Sequence, residues 1–189
     1  MGLTQNKRTQ RASNDVVRDI NTRIVLNLIR TRQPISRADL ARLSGLQRST
    51  VSLIVEDLIG DHWVQEGATG RLPRGRRPTF LRLNDDRVII GVDIRPTQTT
   101  VALADVNGKF TSQEAMDTPA DPKVAIGEIV RRIQRIITSC RGKKIEGVGV
   151  SLPGRFNHSS DRLIFAPNLK WTDFDIRTPI AKAPALMWS

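Results

Sequence analysis

The thirty-eight residues Ile35 to Leu72 read as a helix-turn-helix, and a strongly basic hairpin ending in Gly75-Arg76-Arg77-Pro78 follows them. Ser36 is placed to cap a short helix whose apolar positions are Leu40, Ala41 and Leu43. Ser44-Gly45-Leu46 supplies the turn, and a longer helix runs from about Gln47 to Gly60. On that helix Val51, Ile54, Val55 and Leu58 cluster on one side, while Ser49, Ser52, Leu53 and Glu56 project from the other. Small polar side chains at its N-terminal tip let a helix sink into the major groove of DNA. Gln47 and Arg48 are long enough to reach base edges or phosphates, Arg suiting guanine and Gln adenine. Gln47, Arg48, Ser49, Thr50 and Ser52 are therefore candidate DNA-binding residues.

Two short strands are expected next, Trp63 to Glu66 and Thr79 to Leu83, joined by a loop containing Gly67, Gly70, Pro73 and Gly75. Arg71, Arg74, Arg76 and Arg77 place four guanidinium groups on that loop within seven residues. A wing of this kind lays arginines along phosphates or into a narrow minor groove, which adds Arg74, Arg76 and Arg77 to the candidate set. Charge points the same way. Residues 1–84 hold 15 Lys and Arg against 7 Asp and Glu, net +8, whereas residues 85–189 hold 15 against 12, net +3. Clustered cations displace condensed counterions from a polyanion, so double-stranded DNA is the expected partner, although charge alone does not separate DNA from RNA or anionic lipid.

Other classes are narrowed by what the sequence holds. The single Cys140 excludes an intramolecular disulfide framework and a multi-cysteine zinc site within these residues. The longest apolar runs, such as Val88-Ile89-Ile90, are too short to cross a bilayer, and the polar stretch Thr4 to Asn14 is unlike a secretory signal. A cytoplasmic protein is expected. His62 and His158 have no ligand spacing, and His62 beside Trp63 reads as packing. Asp93 and Asp105 are candidate neighbours across a hairpin, which is weak grounds for chemistry.

Along the chain, residues 1–14 read as a flexible arm carrying Lys7, Arg8 and Arg11. From Asp15 a helix is expected, with Val16, Val17, Ile20, Ile24, Val25, Leu28 and Ile29 on one face and Pro34 ending it. Residues 15–84 thus form a winged helix-turn-helix. Beyond Asn84 the rhythm becomes Val88 to Ile94, Gln98 to Asp105, an Asn107-Gly108 turn and Phe110 to Thr118, all strands. A helix follows from Pro122 to about Cys140, with Arg131, Arg132 and Arg135 on a solvated side, then a buried strand from Ile145 to Ser151. The fold class is α+β: the winged helix-turn-helix, then the first part of an α/β domain over residues 85–189.

Several of these stretches together resemble the ROK family of bacterial sugar-responsive repressors and sugar kinases. They are ISRADLARLSGLQRSTVSLIVEDLI (Ile35 to Ile59), GRRPTFLRLN (Gly75 to Asn84), IIGVDI (Ile89 to Ile94), GVGVSLPGRFN (Gly147 to Asn157) and APNLKW (Ala166 to Trp171). The resemblance implies an actin-like, ribonuclease-H-like second domain that senses a sugar or sugar phosphate, with Gly154, Arg155 and Asn168 at sugar-contacting positions. It also implies a homodimer, a two-fold operator and no cofactor. The family's kinases carry Asp-x-Gly-Gly-Thr in the first hairpin, where this chain has Asp93-Ile94-Arg95-Pro96-Thr97. Proline removes an amide donor and each Cβ crowds the phosphate, so no ATP turnover is expected. The family's Asn-Asp pair, Glu-x-x-His and zinc motif are not in this sequence, and the expectation is a truncated repressor rather than an enzyme. Two alternatives stand beside it: a ROK-type sugar kinase, and a winged helix that binds RNA or protein.

Overall fold

The computed structural model describes residues 3–69, 78–157, 159–160 and 162–185. The chain divides into two compact units, Met1–Asn84 and Asp85–Ser189, each a mixture of helix and sheet.

In the first unit helix α1 spans Leu3–Arg32. It begins well before the expected start at Asp15 and takes in most of the segment read as an arm. The reason is local: residues 3–32 contain neither Gly nor Pro, so once a turn has formed nothing in the sequence stops the helix propagating backwards. The apolar face expected on α1 is also divided. Val25 and Ile29 are fully buried, but Val16, Val17, Ile20 and Ile24 remain exposed, because the rest of the unit packs only against the C-terminal half of the helix.

Strand β1 (Ile35–Ser36) leads into α2 (Arg37–Ser44). The Ser36 hydroxyl accepts the amide of Asp39 at 3.2 Å and donates to the Asp39 carboxylate at 2.7 Å, so cap and first turn are satisfied together. Gly45, at φ +72°, terminates α2 by returning its amide to the Ala41 carbonyl at 3.1 Å. Helix α3 (Arg48–Gly60) follows after only two further residues. Its inner face, Val51, Ile54, Val55 and Leu58, is buried, as are Val25 and Ile29 of α1 and Leu40 of α2.

Strands β2 (Val64–Thr69) and β3 (Thr79–Leu83) pair antiparallel with a register shift between Glu66 and Thr69, and β1 adds to the other side of β3, giving the order β1-β3-β2. The Gln33 side chain accepts the Leu83 amide at 2.8 Å and ties the end of α1 to β3.

In the second unit β4 (Arg87–Ile94), β5 (Gln98–Asp105) and β6 (Phe110–Asp117) form a meander. Asp121 caps helix α4 (Pro122–Ser139), accepting the Lys123 amide at 2.8 Å, and the chain returns as β7 (Lys144–Ser151), parallel to β4. The sheet order is β6-β5-β4-β7. Ile126, Ile129, Ile133 and Ile136 of α4 cover one face of this sheet, against Val88, Ile90, Val92 and Ile94. The apolar β7, expected to be buried, is mostly exposed: it is the edge strand, and no described strand pairs with its outer side.

The arginine side of α4 is less free than expected, since Glu128 pairs with Arg131 and Arg132, and Arg135 reaches Glu114 of β6 at 2.6 Å. After Ser151 lie elements that residue patterns did not foretell. These are β8 (Arg155–Asn157), β9 (Arg162–Ala166), a single 3-10 turn (Pro167–Leu169), β10 (Trp171–Phe174) and helix α5 (Arg177–Ala185). The three strands form a small antiparallel sheet, and Trp171 anchors it by donating its indole N–H to the Ala120 carbonyl at 3.0 Å.

Candidate functional site

The tip of α3 is built by its own core. Burying Val51, Ile54, Val55 and Leu58 turns positions 49, 52, 53 and 56 to the opposite side, because successive residues of a helix are 100° apart. Gln47, Arg48 and Ser49 are exposed, and Thr50 and Ser52 are half-buried. Gln47 occupies the cap position in extended backbone (φ −62°, ψ 147°) with no side-chain capping bond. Among the described residues, none of the side chains of Gln47, Arg48, Ser49, Thr50 and Ser52 makes an internal hydrogen bond or ion pair. The first helical N–H groups and a cation are thus presented together at a helix N-terminus, which is electropositive.

Elsewhere on the unit several charges are engaged. Arg37 holds Glu66 of β2 at 2.7 Å, Arg42 pairs with Asp39 at 2.9 Å, and Arg18 of α1 meets Asp57 at the back of α3 at 2.6 Å. The Arg37 pair fixes the start of α2 to the strand that leads into the arginine-bearing loop. Arg71, Arg74, Arg76 and Arg77 themselves lie outside the described residues. Asp39 is held below the ordinary carboxylate value, first by the Ser36 hydroxyl and then by Arg42.

In the second unit the three sugar-contact candidates are not brought together in one lining. Gly154 borders a cleft of about 760 Å³ between β7 and α5, whose polar walls include Ser151 and Arg177 and whose apolar walls include Val148, Phe156 and Ile180. Arg155, at the start of β8, and Asn168, on the 3-10 turn, are exposed and are not part of that lining. Gly154 has a packing reason of its own. A Cβ there would stand 2.9 Å from the Phe165 carbonyl oxygen, 3.0 Å from Leu163 Cδ1 and 3.1 Å from Ala166 Cβ.

A second cleft, about 710 Å³, opens on the uncovered face of the large sheet, where Asp93, Arg95, Gln98, Thr100, Gln113 and Ser151 provide polar groups. Here Arg95 donates to the Asp93 carboxylate at 2.7 Å, and its backbone amide is already given to the Gln98 carbonyl at 3.1 Å. Asp93 and Asp105 are not neighbours. Asp93 pairs with Thr100 and Asp105 with Val88, placing them at opposite ends of the hairpin. Asp105 is instead committed to the turn, accepting the amides of Asn107 and Lys109, both at 2.9 Å. No group of metal-binding side chains occurs among the described residues, and no helix among them is long and apolar enough to cross a membrane.

Leu53 and Glu56 were visible in the sequence as outward-facing but were not counted as site residues. Leu53 is 64% exposed on the face opposite the core. The available signal was phase: a large apolar side chain half a helical turn away from the buried set.

Comparison with known proteins agrees with this architecture. Residues 89–186 match the family described as the ROK family. Over 174 residues the chain is 28% identical to a xylose repressor of Caldicellulosiruptor bescii, covering 86% of this chain and 42% of that protein. It is also 28% identical, over 173 residues, to the xylose repressor of Bacillus subtilis, covering 89% and 45%. The chain therefore spans less than half the length of the curated relatives it matches. Among solved structures, a ROK family transcriptional regulator described as a homolog of the E. coli MLC protein superimposes with a TM-score of 0.69 at 21% identity, covering 89% of this chain and 44% of that one. At that identity the likeness is one of fold.

Proposed function

This chain belongs to the ROK family, and on that footing we propose that it is a cytoplasmic, duplex-DNA-binding transcriptional regulator, a repressor of carbohydrate genes that responds to a sugar or sugar phosphate. Its N-terminal unit is a winged helix-turn-helix: α2 and α3 are the helix-turn-helix, β2 and β3 the wing strands, and α3 the recognition helix. The observation that carries this is the uncommitted polar tip of α3, five side chains with no internal partner among the described residues, of which Ser49 and Ser52 lie on the side opposite the buried face. Exposed donors beside an electropositive helix N-terminus suit a polar, anionic partner. The repressor names of the curated relatives support the same assignment.

Arg48 and Gln47 read base edges or phosphates, Ser49, Thr50 and Ser52 permit close approach, and Arg74, Arg76 and Arg77 grip the backbone from the wing. The regulator acts as a homodimer on a two-fold operator. In the second unit Gly154, Arg155 and Asn168 are the sugar-contact candidates. The cleft beside Gly154 is the place to look for the effector, and xylose is the first sugar to assay because of the relatives' names.

The kinase alternative is disfavoured by the Asp93 hairpin. Pro96 has no amide, the Arg95 amide is used in the turn, and the Arg95 guanidinium neutralises Asp93, leaving no cradle of backbone donors for a phosphate. ATP-dependent phosphorylation of a hexose or of xylose by the purified chain would reverse that conclusion.

The decisive experiment measures binding to duplex DNA and to structured RNA at matched salt, with Arg48→Ala and Arg76→Ala/Arg77→Ala variants. The Arg48 change is expected to cost about 1–3 kcal/mol, and the wing change to flatten the dependence of affinity on salt. Binding that persists unaltered in both variants, or that prefers RNA, overturns the assignment.

A further inference from the structure

Two residues on the outer face of α3 have no structural employment. Leu53 is, among the described residues, the most exposed large apolar side chain of the first unit, at 64%, one turn beyond Ser49 and centred opposite the buried face. At that exposure Leu53 adds little to the packing of the unit's core. Three residues on, Glu56 is exposed and has no ion pair or hydrogen bond among the described residues, although its neighbour Asp57 is paired with Arg18. A free carboxylate on the face turned towards a polyanion is repelled by it, a cost that a specific contact to a base-edge donor offsets.

Base edges in the major groove offer the matching chemistry. The C5-methyl of thymine is the apolar group exposed there, and the N4 amino group of cytosine is a donor that suits a carboxylate. Resting on the DNA-binding reading above, we infer that the second turn of α3 reads a pyrimidine pair, with Leu53 packing on a thymine methyl and Glu56 accepting from the N4 amino group of a cytosine at a neighbouring base pair. Ser49 and Ser52, being short, let Leu53 approach the groove floor. Arg48 and Gln47 remain the contacts of the first turn. Sequence preference is thereby set by both turns, and affinity mainly by the arginines.

The test begins with duplexes selected by the full chain from a randomised DNA library. In the best of them each thymine is replaced singly by deoxyuridine, which deletes only the methyl. One such replacement is expected to weaken binding about fourfold, the equivalent of uncovering one methyl group, and Leu53→Ala is expected to bind both duplexes equally. Glu56→Ala, which removes the acceptor, is expected to lose discrimination between C·G and other pairs at one position while binding unrelated duplexes more tightly, because a repelling charge is gone. The first result is one that a Glu56 without a base contact does not give.

Indifference of the wild-type chain to every deoxyuridine replacement, or unchanged sensitivity in Leu53→Ala, overturns the Leu53 assignment. Retained C·G preference in Glu56→Ala overturns that of Glu56. If the library yields no retained duplex at all, the DNA-binding reading itself has failed, an outcome distinct from retention without methyl sensitivity.

Discussion

Replacing Gly154 by alanine separates a packing glycine from a ligand-contacting one. The added Cβ would lie 2.9 Å from the Phe165 carbonyl oxygen, where ordinary contact begins at 3.4 Å. Phe165 is in the middle strand of the β10-β9-β8 sheet, paired with Arg155 on one side and Thr172 on the other, so its carbonyl cannot retreat alone. Leu163 and Ala166, the other two neighbours, are fully buried and have little room to give. Such overpacking costs about 1–3 kcal/mol. With a urea m-value of about 2 kcal/mol per molar, the midpoint should fall by roughly 1 M.

The assay is urea unfolding followed by the fluorescence of Trp171, in a background where Trp63 and Trp188 are phenylalanine. Gly149→Ala is the control, since nothing stands within 4 Å of a Cβ there, and it should leave the midpoint almost unmoved. Equal midpoints for Gly154→Ala and Gly149→Ala, accompanied by loss of sugar binding in the former, would refute the packing argument and restore Gly154 as a ligand contact.

Three further outcomes follow from the geometry. Ser36→Ala should cost about 1 kcal/mol of stability through the lost cap, and NMR titration should show the Asp39 carboxyl returning towards its ordinary value, because the Ser36 hydroxyl is the main cause of its depression. In the wild type that depressed value stabilises the fold at pH above the unfolded-state value and ceases to do so as pH falls through the folded-state value. Acid unfolding of Asp39→Asn should therefore be flatter over that window, and an identical acid profile would count against the interaction.

Leu40→Ala, emptying a fully buried site, should cost about 2–5 kcal/mol. Ser49→Ala, at the exposed tip, should stay within about 0.5 kcal/mol. Comparable losses at the two sites in thermal denaturation would mean that the buried face of α2 and the exposed tip of α3 are misassigned. Burial raises the Cys140 thiol, so its alkylation at neutral pH should be slow in the native chain and rapid in urea; fast native labelling contradicts its placement.

The parts of the fold that could be read from residues are those written in local chemistry. Ser36, Gly45 and the 47–60 periodicity define α2, the turn and α3, and Asn107-Gly108 defines the β5–β6 hairpin. What escaped was set by non-local geometry or by the absence of a signal. The beginning of α1 was misplaced because no residue there forbids a helix. Apolar content promised burial for β7, but its place in the sheet depends on which strand pairs with β4 and what pairs beyond it. Strands β8 to β10 are short and patternless, defined by one another rather than by period. At the candidate site, outward orientation of Ser49 and Ser52 was legible from phase. The crowding around Gly154 was not, since it depends on the position of β9, and the separation of Asp93 from Asp105 needed the hairpin register.

The parallel pairing of β4 with β7 matches Arg87 to Lys144, so one side of β4 has no partner until the whole α4 crossover has been made. The N-terminal unit, by contrast, closes all its pairings by Asn84. On a ribosome, where synthesis is vectorial and long-range strand pairing is slow, the first unit completes while the second is still a meander with an open flank. The nascent chain thus passes through a stage in which a finished head trails an unfinished sheet, and that interval is when chaperones matter most to it.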